Sequence, residues 1–167
     1  VTAGSHEIRV EYFDRLDNAQ VRVWWEYRQF YPDWKGEYYA NSILMDDPVL
    51  TRNDPAIDFA WGEGSPAAVV PADQFSARWT RTAILPQGAY RFHASADDGV
   101  RVWVNDRIVI DEWHQGPLTT YTGHIYLDAG AHLVRVEYFE AAGGAEMHLW
   151  WERIEAYRGW KAEYFPN

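Results

Sequence analysis

From Ala89 to Trp113 the chain alternates apolar and polar residues with period two almost without interruption. Tyr90, Phe92 and Ala94 share one face, and Arg91, His93 and Ser95 share the other. Beyond Gly99, residues Val100, Val102 and Val104 oppose Arg101 and Trp103. Such alternation is the signature of half-buried strands, whose successive side chains point to opposite sides. Two punctuation marks, Asp97-Asp98-Gly99 and Asn105-Asp106, cut the stretch into three, and both use residue types that tolerate the positive φ angles of tight hairpin turns. The pattern predicts an antiparallel meander of three strands whose first turn carries two adjacent carboxylates.

The same reading extends along the chain. Trp34 to Asn41 reads as a first strand, followed by a long irregular segment from Ser42 to Gln74 that is rich in Pro, Asp and Gly. A connection of that length is uncommon in a compact domain unless it packs over the sheet or contributes to a site. Alternation resumes from Phe75 to Ile84, and Pro86-Gln87-Gly88 then turns the chain into the central stretch. After a loop from His114 to Thr119, strands are expected at 121–127 and 133–139, and a last one at 146–152 beyond Ala141-Ala142-Gly143-Gly144. Many short strands with a turn roughly every ten residues, and no helical stripe, predict an all-β fold, an antiparallel β-sandwich.

The chain also repeats itself. Residues 1–41 align without gaps on residues 127–167 at a constant offset of 126, with 18 of 41 positions identical. Self-similarity at a fixed period indicates an array of like units. One unit is therefore about 126 residues, and the chain is expected to be a piece of something longer. On this reading, residues 1–33 are the closing hairpin of a preceding repeat plus a linker. Residues 34–155 are one complete domain, and 156–167 are the opening strand of the next repeat. Two closing hairpins then compete for one sandwich, and a duplicated element invites exchange between molecules. Because an isolated hairpin is marginal in water, the first copy is expected to dock on a sheet edge or an aromatic patch of its own or a neighbouring molecule.

Charge and composition narrow the function. With 25 acidic against 15 basic residues the formal net charge is -10, and no basic run is long enough to grip phosphates, which argues against nucleic acid as a partner. No apolar run approaches the length of a membrane span. The absence of cysteine excludes disulfides and a thiol nucleophile. Ten Trp and eleven Tyr must fill a sandwich core or form platforms for ligands. In the pairs Trp24-Trp25 and Trp150-Trp151, one ring must face inward and the other outward.

Three blocks, DQFSARWTR, GAYRFHASADDGVRVWVNDRIVIDEW and YLDAGAHLVRVEYFEAAGGAEMHLWW, occur in an order and spacing that resemble the PA-14 domain family, known from the anthrax protective antigen. The resemblance covers Trp34 to about Glu152. It implies a β-sandwich of secreted and cell-surface proteins, among them glycosidases, toxins, adhesins and tandem surface repeats. In the family's adhesin-like lectins, an Asp-Asp pair joined by a cis peptide holds a calcium ion that also coordinates sugar hydroxyls. An Asn side chain and backbone carbonyls from a neighbouring loop complete that shell. Carried over by position, the pair falls on Asp97 and Asp98, and the neighbouring loop on Glu140-Ala141-Ala142-Gly143-Gly144, which has no Asn. Glu140 could supply a carboxylate oxygen instead, helped by the carbonyls of Ala142 and Gly144. Calcium takes about 6 to 8 oxygens at about 2.3 to 2.6 Å, so this donor set is chemically adequate.

The same residues admit a plainer reading. Asp-Gly between two alternating strands is a strong hairpin signal that requires no metal. If a glycan binds, Trp113, His114 and Tyr121 are candidates for its platform, although each fits a structural role. His6 and His132 occupy one position of the repeat and read as structural or exposed. No HExxH, GxSxG or phosphate-cradling glycine motif is present, so the chain is expected not to be an enzyme. The expected function is a noncatalytic, extracellular or cell-surface, lectin-like module that binds carbohydrate with calcium, next to adjacent copies of the same repeat. The alternative is a spacer or protein-interaction repeat without a ligand.

Overall fold

The computed structural model describes residues 7–15, 18–26 and 29–154. The chain divides into two units, Val1–Phe30 and Tyr31–Asn167. Among its described residues the second contains ten strands: β1 (Trp34–Tyr39), β2 (Leu50–Asp54), β3 (Asp58–Gly62), β4 (Phe75–Leu85), β5 (Gly88–Asp97), β6 (Gly99–Val104), β7 (Arg107–Glu112), β8 (Thr119–Leu127), β9 (Gly130–Glu140) and β10 (Ala145–Ile154). Their hydrogen bonds build a six-stranded sheet, β2-β1-β4-β9-β6-β7, and a four-stranded sheet, β3-β10-β5-β8. Every pairing is antiparallel. Among the described residues there is no helix, and the fold is an antiparallel β-sandwich.

Alternation assigns the inward faces correctly. Phe92, Ala94 and Ala96 of β5 and Val100, Val102 and Val104 of β6 are completely buried, together with Trp79, Tyr38, Tyr138, Phe75 and Met147. Each large apolar side chain withdrawn from water contributes about 1.5 to 3 kcal/mol, which is why this stripe dominates the choice of face.

The expected three-stranded meander does not form. β5 pairs with β8 and β10, whereas β6 pairs with β7 and β9 in the other sheet. Asp97-Asp98-Gly99 is therefore a crossing between sheets and not a hairpin turn. Neither Asp98 nor Gly99 has a positive φ. Glycine is needed at 99 for room, because a Cβ there would lie 2.1 Å from Cε1 of Phe139. Two-residue hairpin geometry occurs one turn later, where Asn105 and Asp106 have φ of 49° and 62° and join β6 to β7. Asn105 is fixed there by His132 Nδ1, 2.7 Å from its amide nitrogen, and by the Leu133 N–H, which donates to its oxygen at 3.0 Å.

The segment 42–74 is less irregular than its composition suggests, since β2 and β3 each add an edge strand. A buried carboxylate anchors it. Asp54 accepts hydrogen bonds from the Tyr38 hydroxyl (2.6 Å), Trp79 Nε1 (2.9 Å) and Arg52 Nε (2.6 Å). Gly36 leaves the space, because a Cβ at that residue would meet Asp54 Oδ2 at 2.2 Å. Of the tryptophan pair on β10, Trp151 packs on Phe92 and Trp34 at 5.4 and 6.3 Å, whereas Trp150 is exposed and stacks on His93 at 4.9 Å.

In the first unit no strand is assigned among the described residues, which include most of the expected closing hairpin. The strands that repeat this segment, β9 and β10, do not form the expected hairpin: β9 lies between β4 and β6 in one sheet and β10 between β3 and β5 in the other. The opening strand expected at 156–167 lies outside the described residues.

Candidate metal centre

Three carboxylates meet where the chain crosses between the sheets. Asp97 ends β5, Asp98 is the crossing residue and Glu140 ends β9. One oxygen from each lies within 4.8 Å of the other two. Two oxygens bound to one calcium ion at about 2.3 to 2.6 Å can be no more than about 5.2 Å apart, so the cluster has the dimensions of a single calcium site. The Asp97–Asp98 peptide bond is cis.

Each carboxylate is held differently. Asp98 is buried, and its two oxygens accept the N–H groups of Gly116 and Ala141, both at 2.9 Å. These bonds tie the crossing to the loop after β7 and to the loop after β9. Tyr138, buried on β9, presents its hydroxyl to the main-chain carbonyl of Asp97 and to Glu140 Oε2 at 3.1 Å. Glu140 has no exposed surface, and its other oxygen, Oε1, is buried with no hydrogen-bond partner.

Electrostatics follow from that crowding. Burial, reinforced by Asp98, Asp97 and Asp73 and opposed by the Tyr138 hydrogen bond, pushes the Glu140 carboxyl up to about 7. Burial and the neighbouring Asp98 and Glu146 also raise Asp97 above the usual carboxylate range, against the Leu118 backbone hydrogen bond. The Tyr138 phenol is raised far above its usual range, by burial first and Glu140 second. A bound cation would reverse the first two penalties at once.

Next to the cluster is a cleft of about 450 Å³ lined by Ser42, Gln74, Asp98, Gln115, Phe139, Ala141 and Ala142. Ser42 and Gln74 also line a second cleft together with Asn41 and Asp73. Of the residues singled out from the sequence, Asp97, Asp98 and Glu140 converge and Ala142 lines the cleft. Gly144 is not among the lining residues. Trp113 packs on Phe139 at 4.8 Å beneath the Arg101 guanidinium, 4.6 Å from its ring. His114 contacts Glu112 (3.2 Å), the Gln115 carbonyl (3.1 Å) and the edge of Tyr121 (6.2 Å). That carbonyl and Glu112 raise its pKa above the ordinary imidazole range.

Sequence reasoning missed Tyr138, Phe139, Ser42, Gln74 and Gln115. A signal existed for Tyr138 and Phe139, which recur unchanged at Tyr12 and Phe13 in the repeat. Gln74 gives none: its φ of 54° is visible only in the folded chain.

The signature described as PA14 domain matches residues 34–156. Anti-sigma-I factor RsgI3 of Acetivibrio thermocellus is 37% identical over 119 residues, which make up 70% of this chain and 18% of that protein. The chain thus spans less than a fifth of the length of this curated relative. An anti-sigma factor domain-containing protein from Clostridium clariflavum superposes with a TM-score of 0.65 at 36% identity, over 72% of this chain and 42% of that one. A PA14 sugar-binding domain from an RTX adhesin superposes with a TM-score of 0.65 at 20% identity, over 74% of this chain and 91% of that one, a likeness of fold.

Proposed function

The chain belongs to the PA14 domain family, and from that premise we propose that its sandwich is a noncatalytic, calcium-dependent carbohydrate-binding module. Asp97, Asp98 and Glu140 would hold the ion. The observation that carries the reading is Glu140 Oε1, a buried carboxylate oxygen without a partner among two further carboxylates. A buried acceptor left unsatisfied costs about 1 to 3 kcal/mol, and more when charged, so its retention calls for a ligand that is cationic and hard. Once bound, calcium supplies coordination positions that water or a pair of sugar hydroxyls can fill.

The chain's own residues do the rest. The Gly116 and Ala141 N–H groups hold the Asp98 carboxylate, and Tyr138 orients Glu140 through Oε2 so that Oε1 is left for the ion. Phe139 gives the cleft an apolar wall suited to the carbon face of a sugar, and Ser42, Gln74 and Gln115 give it polar groups for hydroxyls. Trp113 acts through Phe139, which it backs. The shared fold of an adhesin domain described as sugar-binding supports the assignment. Such glycans are met outside the cell, so the reading places the module on a secreted or surface-displayed chain.

Calorimetric titration with calcium, followed by a glycan array with and without chelator, tests the proposal. Calcium binding that Asp97→Asn abolishes, with chelator-sensitive glycan retention, is the expected result. A wild-type protein with no affinity for calcium overturns it. The spacer reading, which the 126-residue repeat favours, predicts neither calcium nor glycan binding.

A further inference from the structure

The first unit carries a second set of the residues that close the sandwich. Each residue i from 7 to 26 corresponds to residue i+126 on β9, β10 or the loop between them, and the apolar positions agree in kind: Ile8 with Val134, Val10 with Val136, Tyr12 with Tyr138, Val21 with Met147. The four on β9 and β10 are completely buried, whereas Ile8, Val10, Tyr12 and Val21 are each more than half exposed. Exposing such a row forgoes about 1.5 to 3 kcal/mol per side chain. That row repeats the apolar positions that β9 and β10 bury in the two sheets.

We propose that residues 7–26 are an interchangeable occupant of the slot filled by β9 and β10, so that their binding partner is a β1–β8 frame (residues 34–127) of this same sequence. Three observations support this. The slot is recognised by backbone pairing with β4 and β6 in one sheet and β3 and β5 in the other and by buried apolar side chains, and the copy keeps the apolar positions and has no proline to interrupt pairing. The slot lies within reach of residues on the same chain, because the Trp151 ring, counterpart of Trp25, is 6.3 Å from that of Trp34. The eight residues from 26 to 33 span up to about 26 Å when extended, so the copy can enter the slot of its own frame in a permuted strand order. Finally, each chain has one frame and two copies of the β9–β10 sequence. Exchange therefore leaves the number of closed sandwiches unchanged, within one chain or between two, and always leaves one copy over for a neighbouring frame.

The test uses the full chain. Val136→Asp places a charge at a completely buried site of β9. Thr82, the pairing partner of Leu133 on the exposed side of β4, becomes the reporter, since residue 7 is the counterpart of Leu133. The protein contains no cysteine, so Thr82→Cys with Glu7→Cys reports the copy in the slot, and Thr82→Cys with Leu133→Cys reports the resident β9. In the Val136→Asp background, the chain is expected to keep a cooperative unfolding transition. The Glu7→Cys crosslink should rise about tenfold or more over its level without that substitution. Adding Val10→Asp should abolish both. Sedimentation of the crosslinked species shows whether the exchange is within a chain or between chains, and either form supports the proposal. It is overturned if Val136→Asp alone removes the transition as completely as the double substitution. It is equally overturned if the chain stays folded without the Glu7→Cys crosslink while the Leu133→Cys pair still closes.

Discussion

Replacing Glu140 by Gln should make the protein more stable without calcium and less stable with it. The side chain has no exposed surface, and its carboxyl is pushed from an ordinary 4.5 to about 7 by burial and three neighbouring aspartates. A carboxyl raised on folding binds its proton more tightly in the native state than in the unfolded chain. Its contribution to stability is therefore intact below pH 4.5 and is lost as pH rises through 7. The corresponding loss is at most roughly 3 kcal/mol at pH 8. Gln keeps the shape, still accepts from Tyr138 and never ionises, so in chelator at pH 8 the variant should regain most of that loss. For a domain of this size the gain is up to about 10 °C in Tm. Calcium at a thousandfold excess over its Kd stabilises the wild type by about 4 kcal/mol, and the variant, lacking one of three carboxylates, forgoes most of that. Thermal unfolding followed by circular dichroism at pH 5 and pH 8, each with chelator and with calcium, gives four pairs of values. The order of the two proteins should invert only at pH 8. If Glu140→Gln is the less stable protein in chelator at pH 8, Glu140 is not a penalised buried charge and the argument for a cation fails.

Further outcomes follow from the same geometry. Apparent calcium affinity should fall about tenfold between pH 8 and pH 6, because the Glu140 proton must leave before the ion binds, and calorimetry at both pH values measures this. Gly99→Ala drives a methyl group into the Phe139 ring, which sits 2.1 Å from that position. It should cost about 1 to 3 kcal/mol in chemical denaturation and weaken calcium binding, since Phe139 lies beside the cluster. Asp54→Ala leaves Tyr38, Trp79 and Arg52 without their common acceptor. It should cost about 3 kcal/mol or more, while calcium affinity of the folded fraction, read by titration below the transition, stays unchanged.

The site was partly legible in the linear chain. Asp97 and Asp98 are adjacent, so their carboxylates share a neighbourhood whatever the fold, and Glu140 was placed with them through resemblance to PA14 lectins. Nothing in the spacing from 98 to 140 could show that Glu140 is completely buried with one oxygen unpartnered, since that depends on Tyr138 taking the other. Trp113, His114 and Tyr121 looked like a platform because they are aromatic and near a loop. In the folded chain the aromatic residue lining the cleft is Phe139, and Trp113 packs on it. Ser42 and Gln74 belonged to a segment whose length hinted at a site and whose composition gave no hint of which residues.

The order of residues by itself determined that the stretch from Trp34 to Ile154 is built of strands, which of its side chains face inward, and that residues 1–41 repeat 127–167. Which strands are neighbours was decided by tertiary structure. Val102 of β6 needs only to be buried for its alternation to be satisfied, and pairing with β5 or with β9 would bury it equally well. Asp-Asp-Gly is likewise compatible with a hairpin and with a crossing between sheets. The second outcome is the one that forms here, with the Phe139 ring, from a strand forty residues away, against Gly99 and three carboxylates at one point.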